Sequence, residues 1–214
     1  MLNLRKLAKW EGVKHSIYPI LVSEKENESM KELYMHRKYL DLLTLYIIRV
    51  SADGIGTVKI TKAMAEQWGI TEADLHARAM ENLQEDGYTL KDLEQLLDEL
   101  EFGIEDREER DTQKDSKSRM YVLTNGQKYF GAAGMILSPQ LVKKWIGRKN
   151  FYVLPSSTHE VLILPDNQEY KAKELINMVQ TVNADYVIPE EKLTDHVYYF
   201  NWDKRQMVIL KKNE

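Results

Sequence analysis

Cysteine is absent from the 214-residue chain. That excludes disulfides, a thiolate nucleophile and every cysteine-ligated zinc or iron–sulfur site. It suits a reducing cytosol, where disulfides would not stabilise a fold. Long apolar runs are also missing. The densest, LLTLYII at 42–48, is far shorter than the ~20 residues a membrane helix needs. The start, MLNLRKLAKWEG, carries basic residues but neither an uninterrupted apolar core nor a small-residue cleavage site, so it does not read as a signal peptide. A cytoplasmic protein with no membrane association is expected. Net positive charge is lacking too: the formal charge of −4 argues against a broad polyanion-binding surface.

What is present is ordinary globular material, 43% hydrophobic and 30% charged, enough for one substantial core or two smaller ones. The first hundred or so residues read as mainly helical. Leu2, Leu4, Leu7 and Ala8 form a short apolar stripe, and in HRKYLDLLTLYIIRV (36–50) Tyr39, Leu42, Leu43, Tyr46, Ile47 and Val50 recur at three and four. IGTVKI (55–60) is a short strand after Asp53-Gly54, and TKAMAEQWG is a helix ended by Gly69. Thr71 with Asp74 and Thr89 with Asp92 each carry a capping-box signal for a further helix. The stretch IEDREERDTQKDSK is almost wholly charged or small polar and cannot bury a face. It divides the chain into a mainly helical module (1–103), a charged linker (104–118) and an antiparallel-sheet domain (119–214).

In that last region the period changes to two. RMYVLT is a strand, Asn125-Gly126 a tight turn and KYFGAAGMIL its partner strand; SPQLVKKWIG is a helix with Ser138 as cap and Pro139 at its first position. FYVL and HEVLIL are two more strands, YKAKELINMVQTVNADY a helix, and HVYYFN with QMVILK a terminal hairpin. The predicted fold is α+β: a helical amino-terminal half, then an antiparallel sheet with helices in the order ββαββαββ.

Between the strands at 151–154 and 159–164 lies a polar island: Pro155, Ser156, Ser157, Thr158, His159, Glu160. Proline followed by small hydroxyls is ordinary turn chemistry. Alternation sends His159 to the face of Val161 and Ile163 and Glu160 to that of Leu162 and Leu164, so the two are no simple acid–base pair. Ser156, Ser157, Thr158, His159 and Glu160 are the candidate binding residues, for a small ligand or a protein partner. The alternative is a serine hydrolase in which Ser156 or Ser157 is the nucleophile, His159 the base and a distant acid such as Asp195 the orienting group.

Other constellations are incomplete. Ile163 stands where a metalloprotease motif beginning at His159-Glu160 would need its second histidine, and His15, His36, His76 and His196 are scattered, so neither a metal site nor a cofactor is expected. Gly131-Ala132-Ala133-Gly134 lacks the basic loop and preceding helix of an RNA clamp, which leaves close packing as its reason. Gly54-Ile55-Gly56 is too short for a dinucleotide site. Tyr198, Tyr199, Phe200 and Trp202 could offer a partner surface, though alternation turns half of them inward. A nucleic-acid reading rests only on the local basic clusters Lys143-Lys144 and Arg148-Lys149; around a helix end they equally suit the dipole or solubility, and nucleic acid is disfavoured.

The segments WEGVKHSIYPILVSEKENESM, HRKYLDLLTLYII, ITKAMAEQWGITEADLHARAMENL, MYVLTNGQKYFGAAGMIL, FYVLPSSTHEVLILPD and PEEKLTDHVYYFN together resemble a bacterial family known only as a domain of unknown function, met mainly in anaerobic gut bacteria. The resemblance covers nearly the whole chain and is most specific at 68–83 and 154–165. Ser23 and Glu24 in YPILVSEKEN replace the family's more usual Asn-Tyr, and the resemblance implies an amino-terminal region in family members that is expected to be lacking here. The resemblance implies a bacterial, cytoplasmic protein and supports Ser156, Ser157, His159 and Glu160 as site residues. It implies no reaction.

Overall fold

The computed structural model describes residues 7–51, 56–102, 119–155 and 157–211. The segment expected as a linker, 104–118, lies outside the described residues, as does Ser156. Among the described residues ten strands form two antiparallel sheets: β1 (Ile17–Ser23), β2 (His36–Tyr39), β3 (Leu42–Arg49) and β4 (Thr57–Lys59) in the first; β5 (Thr89–Asp92), β6 (Tyr121–Thr124), β7 (Phe151–Leu154), β8 (Val161–Pro165), β9 (Tyr198–Asn201) and β10 (Gln206–Ile209) in the second. The main helices are α1 (Lys62–Trp68), α2 (Glu72–Glu85), α3 (Leu93–Phe102), α4 (Ser138–Ile146) and α5 (Ala172–Tyr186). The class is α+β, but the expected helical amino-terminal half is wrong: strands come first.

The reason lies in 36–50. Leu42 through Ile48 are all buried, and a run apolar at every position but Thr44 matches helical and strand spacing alike, so periodicity cannot decide it. The chain turns instead at Leu40, whose φ of 57° is left-handed, and Leu42–Arg49 becomes the central strand. β1 pairs along one edge of it, while β2 and β4 follow each other along the other. Both faces are covered. Tyr46 and Ile48 pack with Leu75 and Ala79 of α2, and Leu43, Leu45 and Ile47 pack with Ile20, Tyr34 and Phe130.

Two further expectations are corrected. Thr89–Asp92 is β5, the edge of the second sheet, and its helix begins only at Leu93. Asp92 acts as the cap, its carboxylate accepting from the backbone N–H of Glu94 at 3.0 Å. The partner strand expected for β6 is instead a 3₁₀ turn, Gly131–Leu137, and the order ββαββαββ loses that strand. The small residues are there for close approach: a Cβ on Gly131 would lie 2.3 Å from the carbonyl oxygen of His159, and one on Gly134 2.3 Å from the Tyr88 ring.

The second sheet runs β10-β9-β7-β8-β6-β5. One face carries Leu154 and Leu164 under Leu175, Ile176 and Val179 of α5. The other carries Phe151, Val153, Val161 and Ile163 and shares a cluster with Val142 of α4, with Met135, and with Leu21 and Leu42 of the first sheet. The 155–160 loop joins β7 to β8, and the segment 187–197, between α5 and β9, packs beside it.

Candidate functional site

The 155–160 loop is held by backbone bonds. The Thr158 N–H donates to the Glu191 carbonyl at 2.8 Å, the Thr158 carbonyl accepts from Ala132 N–H at 3.2 Å, and Ser157 bridges to Lys192. Ser157 and Thr158 are buried, while His159 and Glu160 are half-buried. The Ser157 hydroxyl oxygen accepts from the His159 backbone N–H at 3.0 Å. The imidazole itself is fully engaged. Its Nδ1 accepts from the Phe130 N–H at 3.3 Å, which places the ring proton on Nε2, 3.1 Å from a Glu191 carboxylate oxygen. The ring also stacks on Tyr129, centroids 5.0 Å apart. The carboxylate facing His159 is thus Glu191; Asp195 bonds Lys192 and Asn183 instead.

The segment that anchors this loop also lines a large cleft. About 1060 Å³ in volume, it is lined by Ser23, Glu24, Lys25, Glu26 and Glu28, by Asp41, and by residues from the carboxyl end of α5 through His196. Ligand cavities typically run to ~300–1,000 Å³, so a small molecule or a short extended segment fits.

Asp41, in the tight turn between β2 and β3, is the charged centre of one wall. One carboxylate oxygen accepts from the Tyr198 hydroxyl at 2.5 Å; the other meets His196 Nδ1 at 2.7 Å and the Thr194 hydroxyl at 3.1 Å. Burial pushes the Asp41 carboxyl up, but hydrogen bonds from Tyr198, His196 and Thr194 outweigh it and hold the group below its usual value. Burial and the Asp41 charge push the Tyr198 phenol up, so it remains a donor. With Nδ1 on Asp41, His196 in its neutral form presents Nε2 as an acceptor, and among the described residues no group bonds it. An imidazole oriented in this way can accept a hydrogen bond or a proton from a bound donor.

The second wall contains a buried amide. Asn183, on α5, is 3% exposed. Its Nδ2 donates to the Thr194 carbonyl at 2.8 Å and to an Asp195 carboxylate oxygen at 2.9 Å. Both neighbours are acceptors, which fixes the amide orientation and leaves Oδ1 on the other side. That oxygen is buried and has no hydrogen-bond partner. The Asp195 carboxyl is raised by burial and lowered more strongly by its bonds from Lys192 and Asn183.

Sequence reasoning singled out the loop and missed the cleft beside it. Asp41 was hidden inside the run read as a helix; reading the run as a hairpin would have put Leu40-Asp41 at its turn. Asn183 gave no signal, since an asparagine on an amphipathic helix is unremarkable until its burial is known. Among the described residues no group of three or more His, Asp or Glu side chains could hold a metal ion, and no helix is long and apolar enough to cross a membrane.

The chain matches the model of a family of unknown function, DUF5688, over residues 1–202. No curated protein and no solved structure matches it. The chain belongs to this family of unknown function.

Proposed function

We propose that this member of a family of unknown function is a binding protein without catalytic chemistry, which takes a ligand or partner segment in the cleft lined by residues of 23–28, Asp41 and residues of 183–196. The 155–160 loop serves as its buttress. The observation that carries the reading is the linkage of the two features: Ser157, Thr158 and His159 fasten the segment 191–192, and the same segment continues into the wall formed by Lys192, Asp195 and His196. Residues 157–159 fastened in this way, beside a cleft of this volume, suit a preorganised recognition surface. We also read the chain as a bacterial cytoplasmic protein, a reading supported by the absence of cysteine.

The test is amide-resolved NMR of the full chain against a small-molecule fragment library. Hits should shift resonances of residues 23–28 and 183–196, and Ala184→Trp, at an exposed position on the cleft wall, should abolish those shifts without lowering the Tm. An active-serine fluorophosphonate probe should leave the protein unlabelled. Shifts confined to other surfaces, or labelling that disappears in Ser157→Ala, would overturn the proposal.

A further inference from the structure

We propose that α5 pairs antiparallel with α5 of a second copy of this chain, about a two-fold axis at Met178, so that the protein is a homodimer. The inference stands whether or not the cleft binds a ligand. One flank of α5 is left uncovered: Met178, Val182 and Tyr186, spaced by four and so on one side of the helix, are 38%, 37% and 82% exposed. Charge is missing there. The chain is 30% charged, yet no residue between Glu174 and Asp185 carries a charge, although Asn177, Gln180 and Thr181 are exposed as well. A methionine and a tyrosine on an uncharged, exposed patch match the centre of a protein interface.

The charges at the two ends of the helix fit one occupant. Lys171 and Lys173 stand at the amino end of α5 and Asp185 in its last turn. None of the three has an ion pair among the described residues, and each lies at the end that its own helix dipole disfavours. Glu174 does suit that dipole, and its carboxylate is taken by the Lys171 N–H at 3.0 Å. An antiparallel neighbour reverses the sense, setting its positive end beside Asp185 and its negative end beside the lysines. The spacing selects a second copy as that neighbour. Lys171 and Asp185 each stand seven residues from Met178, about two turns away and on its side of the helix. A two-fold axis at Met178 therefore sets each Lys171 against Asp185 of the other copy, about 10 Å from the axis, and brings Tyr186 to Tyr170 of the other copy. An unrelated partner would have to carry this pattern in reverse, whereas an identical chain has it by symmetry. Asn183 and Ala184, which line the cleft, lie about 120° or more round the helix from Met178, so pairing leaves that wall of the cleft free. One helix face from each copy is a contact at the small end of specific interfaces, below about 1,200 Å², and a micromolar dimer is expected.

Sedimentation velocity of the full chain across the micromolar range should show a monomer–dimer equilibrium. Lys171→Glu and Asp185→Lys should each weaken it by about tenfold, since each sets like charges together at both ends of the contact. The two changes together should restore it. Both replacements suit the dipole of α5, so neither should lower the Tm of the monomer. Because the chain has no cysteine, Met178→Cys supplies a lone thiol at the axis and should give a disulfide-linked dimer under a mild oxidant; Asn177→Cys, about 100° away, should give far less. A chain monomeric at every concentration overturns the proposal, as does a dimer that the single charge reversals leave unchanged or that the double reversal fails to restore. Equal cross-linking of the two cysteine variants overturns it too. Monomeric protein that is retained on phosphatidylcholine vesicles, and released by Met178→Glu, would give the flank to a membrane surface instead.

Discussion

The imidazole of His159 is held on every side: Nδ1 by Phe130 N–H, Nε2 by Glu191, one face by Tyr129. His159→Ala should therefore cost ~1–3 kcal/mol in denaturant unfolding, the penalty of leaving a backbone donor unmet and a stacked ring lost. A loss near zero would mean that the loop does not depend on the side chain. The sequence put this histidine in the right place, next to a polar turn, but in the wrong structure: β8 begins only at Val161, and no pattern in the chain links Glu191 to it. Asp41 gives a second test at this scale. Its folded carboxyl titrates below the unfolded value because Tyr198, His196 and Thr194 stabilise the anion. The stability it adds is fully present above the unfolded value, about 3.9, and is lost as pH falls through the depressed folded value. Asp41→Asn should be less stable than wild type at pH 7, and the gap in unfolding free energy should close in acid, below about pH 4. A gap constant with pH would mean that the carboxylate contributes no charge-specific stability.

Two segments with the same capping signature take different structures. At α2 the box is complete: Thr71 Oγ1 accepts from Asp74 N–H at 3.2 Å, and the Asp74 carboxylate accepts from Thr71 N–H at 2.9 Å. At 89–92 the same residue types lie in β5, where the backbone pairs with Tyr121 through Thr124 and Leu90 enters the core. Sheet pairing overrides a local preference worth about 1 kcal/mol. Thr71→Ala should accordingly lower stability by about 1 kcal/mol, while Thr89→Ala should leave the cap of α3 intact, because Asp92 supplies it. Denaturant midpoints of the two variants decide this; equal losses would argue against the assignment. The legible elements were those with local signals, such as α1 ending at Gly69 with φ of 69°, α2, α5, and the strands from β6 onward except the one replaced by the 3₁₀ turn. Of the illegible ones, β2 and β3 share a run whose apolar positions also fit a helix, whereas β1 and β5 are defined by partners distant in sequence. The cleft shares that origin, since Asp41 and His196 meet only through the tertiary fold.

At the scale of the whole molecule, the two sheets are joined by packing, by the hydrogen bonds of Asp41 to Tyr198, Thr194 and His196, and by a buried ion pair. Leu21 and Leu42 of the first sheet share a cluster with Leu123, Phe151 and Val161 of the second. Arg49, at the end of β3, forms a bidentate pair with Asp86 just beyond α2, one arm at 2.8 Å, with the two side chains 9% and 8% exposed. Asn125, at the end of β6, donates to the same carboxylate at 3.3 Å, and the Arg49 guanidinium lies 3.6 Å over the Tyr18 ring. A carboxylate this buried is stable only while its cation is present. Arg49→Met leaves the charge of Asp86 unpaired and should cost ~3–5 kcal/mol, whereas replacing both partners with apolar residues should recover much of that loss. Because the pair sits where the sheets meet, the destabilisation should be felt in both. Trp10 and Trp68 pack on the first core and Trp202 on the second, so they report the two regions separately. In single-tryptophan backgrounds, Arg49→Met should shift both fluorescence transitions to lower denaturant by the same amount and keep them coincident. If only the Trp10 and Trp68 transition moved, the sheets would unfold independently, and the shared cluster would not couple them.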